Sequence, residues 1–223
     1  MNHLFSFTHY SSRAIPQMLI LVLLVFICIG CRNKELPTET LAFSQYLDQT
    51  QKAVIDDLAE RKIDLDERSD PESGYIILSD TICDIPFLTI INFGSLPNES
   101  EPLACNIMRQ AIIDLSQEET RDHLNKLYAM MKRIYGDPVE SGSSIIEVSG
   151  VTYTLSDIPN DSIKKLFNDG KLFDEKEITA LELGWMPSDG SAVSLTISEQ
   201  TGVKIYEQSA KTTEALGTTG IID

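Results

Sequence analysis

The side chains with which this chain of 223 residues could do chemistry are few and scattered. His3 and His9 lie near the N-terminus, and His123 stands by itself much further on. A zinc site needs three or four His, Cys or carboxylate ligands, and a hydrolytic triad needs a base held against a nucleophile by a third group. The residues around His123 supply neither, so it reads as a helix-surface residue. Carboxylates are abundant, 34 against 18 basic groups. A glycosidase-like pair is within reach of such a chain, yet abundance favours no pairing over another. Residues 64–70, DLDERSD, have the acidic spacing of a calcium loop, but Arg68 stands where an oxygen ligand belongs and Ser69 where the turn needs glycine. Residues 168–170, NDG, lack the upstream ligands, and no phosphate-cradling glycine loop occurs. Trp185 is a stacking surface by type, but it alternates with Leu181 and Leu183, which is the pattern of a core residue. The sequence thus predicts no catalytic residue, no metal ligand and no cofactor.

The elements that would position such groups are easier to read. Residues 40–62 place Phe43, Leu47, Val54 and Leu58 at helical spacing, with Tyr46 and Ile55 beside them and Thr38 or Thr40 as the cap. The polar face of this helix is acidic, so it is expected to dock on the domain and not on lipid. Residues 74–79 and 82–93 are rich in Ile, Phe and Thr and predict strands, with Pro86 marking an edge or a bulge. Residues 64–73 and 94–102 are loops by composition, and 106–115 reads as a strand. Residues 116–119, SQEE, have the form of a capping box. The helix that follows would bury Leu124, Leu127, Tyr128, Met131 and Ile134 and stop at Gly136. A hairpin turning at Ser149 and Gly150 and a short helix over residues 162–168 come next. The final third is a meander. Leu181, Leu183 and Trp185, then Val193, Leu195 and Ile197, then Val203 and Ile205 alternate with polar residues. Such alternation leaves one face buried and one wet, as in an antiparallel sheet. The predicted fold is α+β, an antiparallel sheet with helices packed on one face. Residues 41–211 form a single domain, and 212–223 read as a flexible tail.

Residues 21–34, LVLLVFICIGCRNK, end an uncharged run that begins at Met18 after Arg13. As a helix, its thirteen residues would reach roughly 20 Å at 1.5 Å each, short of a hydrocarbon core of about 30 Å. Length and flanks fit a secretory signal. Residues 28–31, CIGC, resemble the lipobox of bacterial lipoprotein precursors, with Cys28 where leucine is usual. In that family a diacylglycerol is attached to the cysteine thiol, and signal peptidase II cuts just before it. The resemblance implies a signal peptide over residues 1–30, palmitate-bearing lipid on Cys31, and a tether over residues 31–40. The other readings of this leader are an uncut signal anchor and plain secretion. Arg32 in second place, where aspartate would retain a lipoprotein in the inner membrane, implies the outer membrane facing the periplasm if the cell is Gram-negative. Two or three acyl chains, at about 0.8 kcal/mol per buried methylene, suffice for stable anchoring. In that oxidising envelope, Cys83 and Cys105 are candidates for one disulfide worth roughly 3 kcal/mol, the alternative being two buried free thiols. The segments KLYAMMKRIYGDP and LGWMPSDGSAVSLTIS also resemble a pattern in secreted and lipid-anchored bacterial proteins, which brings no activity with it.

Arg13 is the one charged residue before position 31, so the rest of the chain carries 17 basic against 34 acidic groups, a formal charge of −17. Such a surface repels phosphate backbones and anionic head groups, which excludes nucleic acid and lipid-surface binding by the folded part. The expectation is a lipid-anchored cell-envelope lipoprotein whose acidic domain binds a protein partner, basic proteins being electrostatically favoured. The alternatives are a periplasmic immunity-type inhibitor of a basic toxin and a carboxylate-based hydrolase.

Overall fold

Alternating apolar and polar side chains build one eight-stranded antiparallel sheet in the computed structural model, which describes residues 41–139, 144–158 and 161–217. The strands are β1 (Tyr75–Ile82), β2 (Ile85–Gly94), β3 (Leu103–Ala111), β4 (Ile145–Val148), β5 (Val151–Thr154), β6 (Ile178–Trp185), β7 (Ala192–Ser198) and β8 (Gly202–Gln208). Their order across the sheet is β1-β2-β3-β8-β7-β6-β4-β5. Helices α1 (Gln51–Glu60), α2 (Glu118–Tyr135), α3 (Asp161–Asp169) and α4 (Ala210–Leu216) complete the α+β fold. The pairs β3–β8 and β4–β6 join strands distant in sequence, and β3–β8 unites an N-terminal half of three strands with a C-terminal half of five.

Directly paired residues share a face of the sheet, and the register assigns the faces. The row Leu78, Thr89, Arg109, Ile205, Leu195 and Leu183 crosses six strands on the covered face. One core lies where Leu124, Leu127, Tyr128 and Met131 of α2 meet β6, β7 and β8. A second lies under α1, where Val54, Leu58, Phe43 and Tyr46 meet Ile76, Leu78, Ile91 and Ile107. Trp185 belongs to the first core, 2% exposed, and its Nε1 donates to the Gly136 carbonyl at 3.0 Å. Its packing reading holds.

Two hairpins turn through two-residue loops with both φ angles positive, at Cys83 and Asp84 (51° and 65°) and at Ser149 and Gly150 (51° and 78°). That geometry matches the right-handed twist of the strands. The second hairpin is where the sequence placed it. The first divides what read as one strand over residues 82–93. Pro86 faces Thr81 on β1 and precedes the first β2–β3 pair, Leu88 with Gln110. The donor it lacks would serve the β3 side, so Pro86 ends that ladder.

Three further expectations change. The helix expected over residues 40–62 is confined to α1, because Phe43 and Asp48 adopt positive φ (68° and 64°) and break the earlier turns. Its cap is Thr50, whose Oγ1 accepts from the Ala53 amide at 3.3 Å. Residues 41–49 instead form a strap across the covered face. At the start of α2 the capping box is replaced by Asp114, whose carboxylate accepts from the Ser116 hydroxyl (2.6 Å), the Ser116 amide (3.0 Å) and Gln117 Nε2 (3.0 Å). The tail expected from residue 212 is helical to Leu216, with Ser209 accepting from the Thr212 amide at 3.1 Å and Thr212 and Thr213 buried.

Candidate functional site

Two regions of the sheet hold side chains that the alternation pattern alone does not account for. The first is a polar seam on the covered face, between the two cores. Arg109 of β3 is fully buried, and Glu207 of β8 is 2% exposed. They lie on adjacent strands one row apart, since Arg109 is opposite Ile205 and Ile107 is opposite Glu207. The guanidinium donates to the Glu207 carboxylate and to the Ala42 carbonyl on the strap. Glu207 also accepts from the Ser44 hydroxyl (2.7 and 2.9 Å) and from the Tyr135 hydroxyl (2.7 Å). Burial, and then the Glu207 charge, push the Tyr135 phenol well above its usual range. Asp80 of β1 closes the row, its Oδ2 3.8 Å from Arg109 Nε. Neither of those atoms, nor Thr89 Oγ1, has a hydrogen-bonding partner in the protein.

Among the described residues this seam is the one place where the fold draws carboxylates together about a cation deep in the domain. Its chemistry is structural. The Glu207 oxygens are occupied by three donors, and the strap lies over them, which leaves no face for a substrate. A buried ion pair costs desolvation that its Coulomb energy barely returns, and its common value is to fix one arrangement among alternatives. Here it bridges β3 and β8 diagonally, at the joint between the two halves of the sheet.

The second region is the opposite face. The row Ile77, Ile90, Met108, Tyr206 and Ser194 crosses its centre, with Ser79, Leu88, Gln110, Lys204 and Thr196 on one side. On the other side run Tyr75, Asn92, Asn106, Gln208 and Ala192, where Asn92 donates to Asn106 at 2.7 Å across the strands. Leu88, Ile90, Met108 and Tyr206 belong to neither core. The face is bounded at β1 by residues 66–69, where Asp66 donates its amide to the Ile77 carbonyl, and near Gln208 by α4 through Thr213. Across β1, β2, β3, β8 and β7 its outward residues include no carboxylate and one cation, Lys204. Where Pro86 ends the β2–β3 ladder, the face opens into a crevice of about 870 Å³ lined by Thr81, Pro86, Leu88, Gln110 and Ile112. Ile112 is 95% exposed beside it.

The residues singled out in the sequence do not converge on either region. Cys31, the signal peptide and the tether lie outside the described residues. Cys83 and Cys105 are free thiols at opposite ends of β2, because Cys83 turns the β1–β2 hairpin while Cys105 lies beside the Phe93–Ala104 pair. At about 3.3 Å per residue they are some 26 Å apart, where a bridge needs Cα atoms within about 7 Å. The expected disulfide is replaced by the free-thiol alternative. Cys83 packs 3.9 Å from the Met130 sulfur, and burial followed by the Asp84 charge raises its thiol above the usual range. His123 is on α2, with Nε2 3.9 Å from Asp84. In the acidic loop, Arg68 pairs with Asp66 at 2.7 Å and holds that carboxyl down to about 2. Among the described residues no group of three or more His, Cys, Asp or Glu is placed to hold a metal.

Sequence reasoning missed the seam. The available signal was parity: Arg109 falls in step with Ile107 and Ala111, and Glu207 with Val203 and Ile205, so each charge sits at an inward position. Comparison of the chain with protein-family models, with curated proteins and with solved structures returns no match.

Proposed function

We propose that the chain is a lipid-anchored protein of the bacterial cell envelope whose domain works by binding protein. The observation that carries the binding reading is the carboxylate-free sheet face. In a domain with this excess of acid, five adjacent strands present none on one side, and Glu182 of β6 and Glu147 of β4 begin where they end. Uncharged amide and hydroxyl side chains around an Ile, Met and Tyr centre are the composition of a surface that is wet alone and covered in a complex. The acids lie on α1, on the start of α2, outward on β6 and β4 as Glu182 and Glu147, and in the loop over residues 64–72 at the margin of the face. A basic partner would meet those elements, and an uncharged one the sheet.

The anchoring reading is supported by the CIGC sequence alone and is tested separately. Labelling with a palmitate analogue should mark the chain, and Cys31→Ser should abolish the label. Persistence of the label in that variant rejects the anchor. For the binding reading, a photo-crosslinking amino acid at Tyr206 should yield a discrete protein adduct in envelope preparations. The same probe at Lys165, an exposed residue of α3, should not. Equal adducts from both positions, or none, reject it.

A further inference from the structure

We infer that the partner of this face is a second copy of the same chain, the two sheets packing face to face about a two-fold axis; this rests on the binding reading above and names its partner. Charge distribution is the first argument. Two domains of formal charge −17 repel over most approaches. Five strands of the sheet face, β1, β2, β3, β8 and β7, offer a stretch where they can meet without opposing carboxylates, bounded on β6 by Glu182 beside Thr196. Stacked sheets sit about 10 Å apart. Carboxylates of α1 and α2 then lie on the far sides of both sheets, separated by more than the screening length of about 8 Å at physiological ionic strength, while Asp66, Glu67 and Glu214 flank the patch at its margins.

Shape and area agree. Five strands about 4.8 Å apart and about six residues long at about 3.4 Å each give a patch of roughly 24 by 20 Å. Doubling it buries about 1,000 Å², at the lower bound for a specific interface. That is the size of a weak, reversible dimer. Two copies held on one membrane would associate through it, because tethering raises their effective concentration.

A two-fold contact is isologous, so the patch must complement itself. The central row of Ile90, Met108 and Tyr206 meets its own symmetry mate across the axis and supplies the apolar centre. Asn92, Asn106, Gln110, Ser194 and Thr196 ring it with groups that both donate and accept, which suits a surface facing a copy of itself. Lys204, the one charge, stands beside the centre, opposite Gln110 and Thr196. The exposed Ile112 and its adjoining crevice add a knob and a socket at the patch margin.

The test uses the full chain in native membranes. Met108→Cys, treated with a short bismaleimide, should give an adduct of twice the chain mass, while the parent chain with Cys83 and Cys105 and a Lys165→Cys control should not. Adding Lys204→Glu to Met108→Cys places a carboxylate from each copy at the centre and should lower the adduct at least tenfold. The urea midpoint and far-ultraviolet circular dichroism of that variant should match the parent. Absence of the double-mass adduct with Met108→Cys overturns the dimer, as does an adduct indifferent to Lys204→Glu. If the dimer fails while the Tyr206 probe still captures a different protein, the binding reading stands and only the identity of the partner is wrong. If the Tyr206 probe captures nothing either, both fall.

Discussion

The two faces of the sheet reverse the ordinary distribution of charge. The covered face buries Arg109 and Glu207 with Asp80 beside them, whereas the uncovered face presents Asn, Gln, Ser and Thr around Ile90, Met108 and Tyr206. Solubility alone would put the acids outside and leave the inside apolar. The reversal indicates that each face answers to a need beyond burial. Inside, an ion pair spans the joint between β3 and β8. Outside, the absence of carboxylates over five strands is the feature on which the proposed contact rests.

The strongest way to break this contrast is at the seam. Glu207→Leu leaves the Arg109 guanidinium buried with Asp80 3.8 Å away as its remaining acid, and should cost about 3–5 kcal/mol, read as a fall in the urea midpoint. The double variant Arg109→Met/Glu207→Leu should recover most or all of that loss, because matched apolar groups no longer need pairing. A double variant as unstable as the single one would show that the ion pair itself stabilises the fold. Next in size comes the apolar part of the covered face. Leu195→Ala, fully buried between Ile205 and Leu183, should cost about 3 kcal/mol. Its counterpart on the other face, Ile90→Thr, should cost less than about 1 kcal/mol. Comparable losses at the two positions would mean that the outer face is packed and not available.

The acidic loop at the margin of the outer face gives the smallest effect. Arg68 depresses the Asp66 carboxyl from 3.8 to about 2. A carboxyl depressed in the folded state stabilises fully above its unfolded value and loses that contribution as pH falls through its folded value. The loop should therefore loosen between pH 4 and about 2, seen as faster exchange of the Asp66 amide that bonds the Ile77 carbonyl. Arg68→Ala should move that transition up toward 3.8. An unmoved transition would assign it to another acid.

What was legible in the sequence followed from periodicity. The meander was readable because Leu181 to Trp185, Val193 to Ile197 and Val203 to Ile205 alternate cleanly and each strand pairs with its neighbour in sequence. Breaks that depend on a backbone angle were not readable. Phe43, Asp48, Cys83 and Asp84 all take positive φ without being glycine, so the short helix and the first hairpin carried no composition signal. The seam was hidden for a different reason. Arg109 and Glu207 are 98 residues apart, and each looks like an ordinary charge at the end of a short apolar run until the β3–β8 pairing brings them together. The outer face could be read only after parity was fixed strand by strand, because what distinguishes it is the type of residue missing.

The β3–β8 joint also sets a timetable. The strand that completes the centre of the sheet is the last of the described strands, so β3 waits with one edge unpaired until residues 202–208 have been made. Gly202, at φ +72°, admits β8 past the Ala111 carbonyl, which would lie 2.0 Å from any Cβ placed there. Pairing this remote in sequence is slow to form, because the intervening loop must close before contacts repay it. β3 therefore gains its second partner only when β8 arrives, and that pairing closes the centre of the sheet.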